Sequence, residues 1–345
     1  MSSVSISNTK KRKTTDESLS KSNVKKLILS IVFNGSALKH RLIFQSMISF
    51  LCILVFLDVS GLIAWNPENF TFNPGENYQL VWQDKFENVG PVKAIINGQP
   101  AYSPNPKNWA HAVGPKIDGG IQNYTASIQN SYVQHGQLTI VAMKEGNASA
   151  MLTSQDLQEF TFGIWAAKIR LPYGQGLWPA WWLVGSGMKY GLHWPTVGEI
   201  DILEMVGGTK QTNSTDQFAH ATVHWNNQSN TMNPVYNKYT STFWRTPDNS
   251  MLHNHSLVYW MEWTPTNISI GVNEFVYYHL NTTNIPDSIN PVIAFSGKWP
   301  YHMFLNIAFG GKWSGLPDNT TVWPQQMVVD WVRVYQQKKI ISLHL

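Results

Sequence analysis

An all-β sandwich or barrel is the fold class this sequence predicts, and three observations carry the prediction. Short runs of alternating or β-rich residues recur along the chain, and clusters of Gly, Pro and Asn separate them. No window of a dozen residues outside an apolar segment near the N-terminus holds a helical 3.6-residue period. Beyond residue 78 there is neither an internal repeat nor a second composition regime, so one domain is expected.

Residues 1–41 come first and hold nine Lys or Arg against Asp16 and Glu17, without apolar periodicity, which reads as a disordered basic tail. Removing that tail leaves 16 basic and 19 acidic residues, so the folded part carries no basic footprint for nucleic acid. Residues 42–64 then contain Asp58 as their only charge, long enough to span a bilayer. The basic flank puts the preceding tail in the cytoplasm, predicting a single-pass type II protein whose catalytic domain is extracellular or lumenal. The competing reading is a cleaved signal peptide, cut near Val59, Ser60 and Gly61, which yields a secreted protein. Nine N-x-Ser/Thr acceptor triplets follow, at Asn69, Asn123, Asn147, Asn213, Asn227, Asn254, Asn267, Asn281 and Asn319, in agreement with export. The sole cysteine, Cys52, falls within the apolar segment, so the outer domain has no disulfide, thiolate metal site or cysteine nucleophile.

Residues 65–77, with Pro67, Pro74 and Gly75, read as a stalk, and the folded domain is expected over 78–337, with 338–345 as a C-terminal tail. Strands are expected at 137–143, 160–171, 221–225, 257–263, 267–272, 303–309 and 327–335. Charged residues make up 13% of the chain, about half the roughly 25% usual for soluble domains, and aromatic residues another 13%, a balance suited to neutral, hydroxyl-rich ligands.

The stretch with chemistry in it runs from Gly176 to Gly208, with Glu199, Ile200, Asp201, Ile202, Leu203 and Glu204 at its centre. Alternation puts Glu199 and Asp201 on one strand face and would put Leu203, not Glu204, beside them. A single β-bulge restores Glu204 to the acidic face. Three neighbouring carboxyls cannot all ionise cheaply, and glycoside hydrolysis uses that: one acid stays ionised as nucleophile, another keeps a proton for the departing oxygen. Taken alone, the bare spacing favours a salt-bridged, solvent-facing strand. Apolar alternate positions and the crowding of Trp178, Trp181, Trp182 and Trp194 favour the site. By parity Trp178 and Trp182 face a cleft and Trp181 the core; flat indoles suit pyranose rings.

The run from Phe160 through Gly208 resembles glycoside hydrolase family 16, in particular its laminarinase-like branch, which joins G-x-W-P-A-x-W to E-I-D-x-x-E. Tyr259, Glu262, Trp263 and Thr264 resemble its Y-x-x-E-W-T strand; Leu305, Asn306, Ala308, Gly310 and Gly311 its L-N-x-A-x-G-G turn; Asp330 to Tyr335 its closing D-W-V-R-V-Y strand. The resemblance covers about residues 78–337. It implies a concanavalin A-like β-jelly roll of two curved antiparallel sheets with an open cleft, and retaining chemistry with Glu199 as nucleophile, Glu204 as general acid and base, and Asp201 tuning the pair. The resemblance of the His224 strand to the family's T-x-H-W/Y also places His224 at the border of the cleft near the acid/base, and substrate contacts are expected at Trp178, Trp182, Trp194, His224 and Asn306. Trp260 and Glu262 fit either core or rim, and two histidines, His220 and His224, make no metal site. No cofactor is expected. Asp330 resembles a position where some members hold a structural calcium ion, though one carboxylate makes no site. Where the family often has W-x-D-E-F, this chain has Trp82, Gln83, Asp84, Lys85 and Phe86.

The expected function is endo-hydrolysis of β-1,3 or mixed β-1,3/1,4 glucan, a β-glucan polysaccharide being the partner. A cell-wall transglycosylase on the same site is the alternative. A non-catalytic glucan-binding protein ranks below both, because relatives of that kind lose the glutamates that this chain keeps.

Overall fold

The computed structural model describes residues 65–114, 119–208, 216–226, 237–283 and 293–338. The basic tail, the apolar segment with Cys52, the acceptors Asn213 and Asn227 and all but the first residue of the 338–345 tail lie outside them. Among the described residues no helix is long and apolar enough to cross a membrane.

Two antiparallel sheets face each other. One has eight strands, in the order Phe275–Asn281, Asn267–Val272, Leu257–Trp263, Gly163–Arg170, Gln325–Gln337, Gln137–Ala142 and Ser131–Gln134, with Tyr78–Asp84 pairing Gln325–Gln337 as well. The other has seven: Asn237–Arg245, Phe218–Asn226, Glu199–Glu204, Leu177–Gly185, Tyr301–Phe309, Met151–Thr153 and Ala110–His111. Each strand expected from the sequence is present with ends shifted by a few residues, and the described helices are short 3₁₀ turns. Two of the edge strands, Asn237–Arg245 and Phe275–Asn281, are not among those expected: the first is polar along much of its length, and the second, Phe-Val-Tyr-Tyr-His-Leu-Asn, is an aromatic run without strict apolar alternation.

Alternation decides what goes where. Along Leu177–Gly185, Leu177, Trp181 and Leu183 point into the core between the sheets, while Trp178, Ala180, Trp182 and Val184 line the outer face of the seven-stranded sheet. Trp165, Trp181, Trp225, Trp263, Tyr259 and Phe309 are fully buried there. Burying an aromatic side chain of this kind contributes about 1.5–3 kcal/mol.

The lead-in differs from the expected stalk. The compact unit begins at Trp65 rather than near Tyr78. Trp65 packs edge-on against Trp244 and His255, and Phe72 lies 6.0 Å from both Trp260 and Tyr335. The cause is visible in Gly163–Arg170, which is apolar on both faces: Trp165, Ala167 and Ile169 meet the core, leaving Ile164 and Ala166 for Phe70 and Phe72 to cover. Prolines and a glycine mark the segment as irregular, and irregular chain packs as well as a strand when it carries the right rings.

Candidate active site

The acidic strand contains the expected bulge. Trp181 pairs with Leu203 but Trp182 pairs with Asp201, so Ile202 is the extra residue, and the same slip recurs against Phe218–Asn226, where Asp201 pairs with Thr222 and Glu204 with His220. Ile200, Ile202 and Leu203 all enter the core, and Glu199, Asp201 and Glu204 all line one cleft of about 810 Å³. The strand is entered through Gly198, whose φ of +84° is open to glycine and whose missing Cβ would fall 2.0 Å from the Tyr301 hydroxyl.

Each acid is held. Trp194 Nε1 donates to Glu199 Oε2 at 2.8 Å, Trp178 Nε1 donates to Glu204 Oε1 at 2.9 Å, and Thr222 Oγ1 donates to Glu204 Oε2 at 3.3 Å. The Glu199 and Asp201 carboxyls stand side by side, an oxygen of each lying within 4.8 Å of the other and of a His224 ring nitrogen. Asp201 is 3% exposed, and its Oδ2 accepts no hydrogen bond although His224 Nε2 stands 3.4 Å away. His224 Nε2 is also 3.9 Å from Glu199 Oε1.

Electrostatics follow from this crowding. Burial first, then the Asp201 charge, pushes the Glu199 carboxyl well above the usual range; His224 and the Trp194 indole pull against that rise. Burial and then the Glu204 charge push Asp201 up as well. The row therefore carries fewer charges than carboxyls near neutral pH, which is what a site needing both a proton donor and an ionised partner requires.

All eight residues expected at the site line the cleft: Glu199, Asp201, Glu204, Trp178, Trp182, Trp194, His224 and Asn306. Asn306 Oδ1 accepts from Trp182 Nε1 at 2.7 Å, and its amide donates to the buried Tyr124 hydroxyl at 3.1 Å, which fixes that indole. Trp181 is in the core, as parity predicts. Thr222, Tyr239, Phe304 and Trp313 also line the cleft and were missed. Thr222 shares a face with His224 by alternation, a signal the sequence did hold. Trp313, in the loop after Gly310 and Gly311, gave none.

Trp260 and Glu262 lie away from the cleft. Trp260 packs on Phe72 and donates to the Asn273 carbonyl, and Glu262 accepts from the Tyr78 hydroxyl at 2.6 Å. Around Asp330 stand the Gln137 amide at 2.6 Å, the Ser256 hydroxyl at 3.4 Å and the Lys168 ammonium at 3.7 Å. A cation and two donors do not suit calcium, which wants several oxygen ligands. In the unusual Trp82 to Phe86 segment, Asp84 is buried and accepts from the Phe86 amide, Asn108 and Trp109, so it is a structural anchor.

Comparison with known proteins agrees with this geometry. The sequence profile of Glycosyl hydrolases family 16 matches residues 121–333. A β-glucanase from Rhodothermus marinus is 32% identical over 270 residues, covering 75% of this chain and 86% of that protein. Among solved structures, the catalytic domain of an endo-1,3-β-glucanase (laminarinase) from Thermotoga petrophila superposes with a TM-score of 0.62 at 26% identity, covering 76% of this chain and all of that one. The laminarinase from Rhodothermus marinus gives 0.61 at 31% identity, with 76% and 98% covered. A two-sheet sandwich with a bulged acidic strand, matched over most of its length to this family, makes the chain a member of glycosyl hydrolase family 16 and a glycoside hydrolase acting on O-glycosyl bonds.

Proposed function

We propose that the protein is an endo-acting glucanase that cuts β-1,3 or mixed β-1,3/1,4 linkages with retention. The observation that carries this is the bulge at Ile202, which brings three carboxyls to one cleft walled by Trp178, Trp182 and Trp194. The relatives named β-glucanase and laminarinase support the substrate class. In the first step a Glu199 oxygen bonds to the anomeric carbon while Glu204 gives its proton to the departing glycosidic oxygen. In the second, Glu204 takes a proton from water, whose oxygen replaces Glu199 at that carbon. Asp201 shares a proton with Glu199 and leaves it free to ionise when the sugar arrives. Trp178 and Thr222 hold the Glu204 carboxyl in place.

The test is release of reducing ends from laminarin and lichenan. Glu199→Gln and Glu204→Gln are each expected to lower kcat by about 10³-fold or more, as for residues acting as a unit, while glucan binding persists. A wild-type protein that binds glucan and cleaves nothing sinks the proposal. Elongation of labelled acceptors without net gain of reducing ends would make it a transglycosylase.

We also propose that residues 42–64 anchor the enzyme, with the catalytic domain on the outer side. The basic flank supports this. So does the surface position of the seven described acceptor asparagines, of which only Asn267 is half-buried. Persistence of membrane association after residues 1–64 are removed would overturn it.

A further inference from the structure

The aromatic wall of the cleft does not stop at the carboxyl row. Trp178, which holds Glu204, meets Trp313 edge-on with ring centroids 5.2 Å apart, and Trp313 meets His220 at 5.1 Å. His220 in turn meets Phe243 at 6.0 Å, and Phe243 meets Phe218 at 4.8 Å. Strand register explains the line: Glu204 is paired with His220, and His220 with Phe243, so the rings cross the sheet from the acid to its edge strand, Asn237–Arg245. Tyr239, Ser241 and Phe243 share the outer face of that strand, while Trp244 next to Phe243 is buried.

Phe243 is 56% exposed and lies just past the residues that line the cleft. A lone exposed phenyl ring is ordinary. This one is held upright by Phe218 and continues a row of rings that begins at the general acid. Burial pushes His220 down to about 4, so the ring beside Phe243 is uncharged at neutral pH. A neutral pyranose packs its C–H face on such a surface and turns its hydroxyls to water.

Position along the strand gives the direction. The cross-strand neighbours of Glu199 are His224 and Tyr239, and those of Glu204 are His220 and Phe243. The acid sits beside the oxygen that leaves, so rings beyond Glu204 are on the leaving-group side. We propose that Phe243, backed by Phe218 and His220, is an outlying platform for a glucosyl unit on the leaving-group side of the scissile bond. The inference rests on the glucanase reading above and adds where a long chain is gripped.

The experiment compares the full-length wild-type chain with Phe243→Ala and Phe243→Trp on laminari-oligosaccharides of three to seven units. The alanine variant is expected to lose about two- to tenfold in kcat/KM on the longest substrates, chiefly through KM, from the loss of one stacking contact, and nothing on the trisaccharide. With a reducing-end-labelled hexasaccharide its cleavage should shift toward the labelled end, because units on that side now contribute less. The tryptophan variant should behave as the wild type. An equal loss at every length, or no change at any length while the wild type cleaves, overturns the inference. Failure of the wild type to cleave any of these glucans overturns the glucanase reading itself, and this proposal with it.

Discussion

Glu199 feels burial and the Asp201 charge pushing its proton on, and the Trp194 indole and His224 pulling it off. The upward pushes dominate, and Asp201 is raised too. The sign of the consequence for stability can be worked out. A carboxyl whose folded pKa lies above its unfolded value binds its proton more tightly when folded. Its stabilisation is complete below the unfolded pKa and is lost as pH rises through the folded one. Near neutral pH these acids therefore strain the fold, and every tenfold rise in proton affinity on folding corresponds to about 1.4 kcal/mol. Glu199→Gln, which cannot titrate, should melt higher than the wild type at pH 7, by about 2–4 °C per kcal/mol released, and the gap should close near pH 4. Calorimetry at the two pH values checks it, and a lower Tm for the variant at pH 7 would contradict it. The spacing of the three acids was legible in the sequence. How deeply each is buried was not, because burial is set by Trp194, Trp178 and His224 from other segments.

The acidic strand is organised by one residue. With Ile202 as the extra residue, Ile200, Ile202 and Leu203 all reach the core and Glu204 rejoins the cleft. Deleting Ile202 leaves Glu199, Asp201 and Glu204 on one face of a plain strand, but it removes the bend by which the bulge re-aims Glu204 and takes out a fully buried core side chain, whose loss costs about 2–5 kcal/mol. The deletion variant is expected to lose hydrolysis entirely and to melt well below the wild type; activity comparable to the wild type would show that the bulge does not set the site. The bulge itself was legible, because Glu204 stands on the wrong parity for a plain strand. The parity of Trp178, Trp181 and Trp182 was legible for the same reason. The Asn237–Arg245 strand was not, since an edge strand with one face in solvent and polar residues at many positions carries little apolar period.

At the scale of the molecule, the eight-stranded sheet has an outer face that must be covered, and residues 65–77 cover it with Phe70 and Phe72. A chain beginning at Trp65 is expected to leave the membrane fraction with glucanase activity intact. One beginning at Tyr78 exposes Ile164, Trp260 and Tyr335 and should be less stable by about 1.5–3 kcal/mol for each ring whose burial is lost, read from denaturant melts of the two proteins. Equal midpoints would return the segment to the status of a stalk. What the sequence by itself determined is what local periodicity can encode: an all-β chain, the faces of its best-patterned strands, and an acidic ribbon with one bulge. Only the tertiary structure decided which distant segments meet that ribbon. Tyr239, Phe304 and Trp313 come to Glu199 and Glu204 through cross-strand pairing and loop closure over long stretches of chain, and such pairing leaves no mark in the spacing of neighbouring residues.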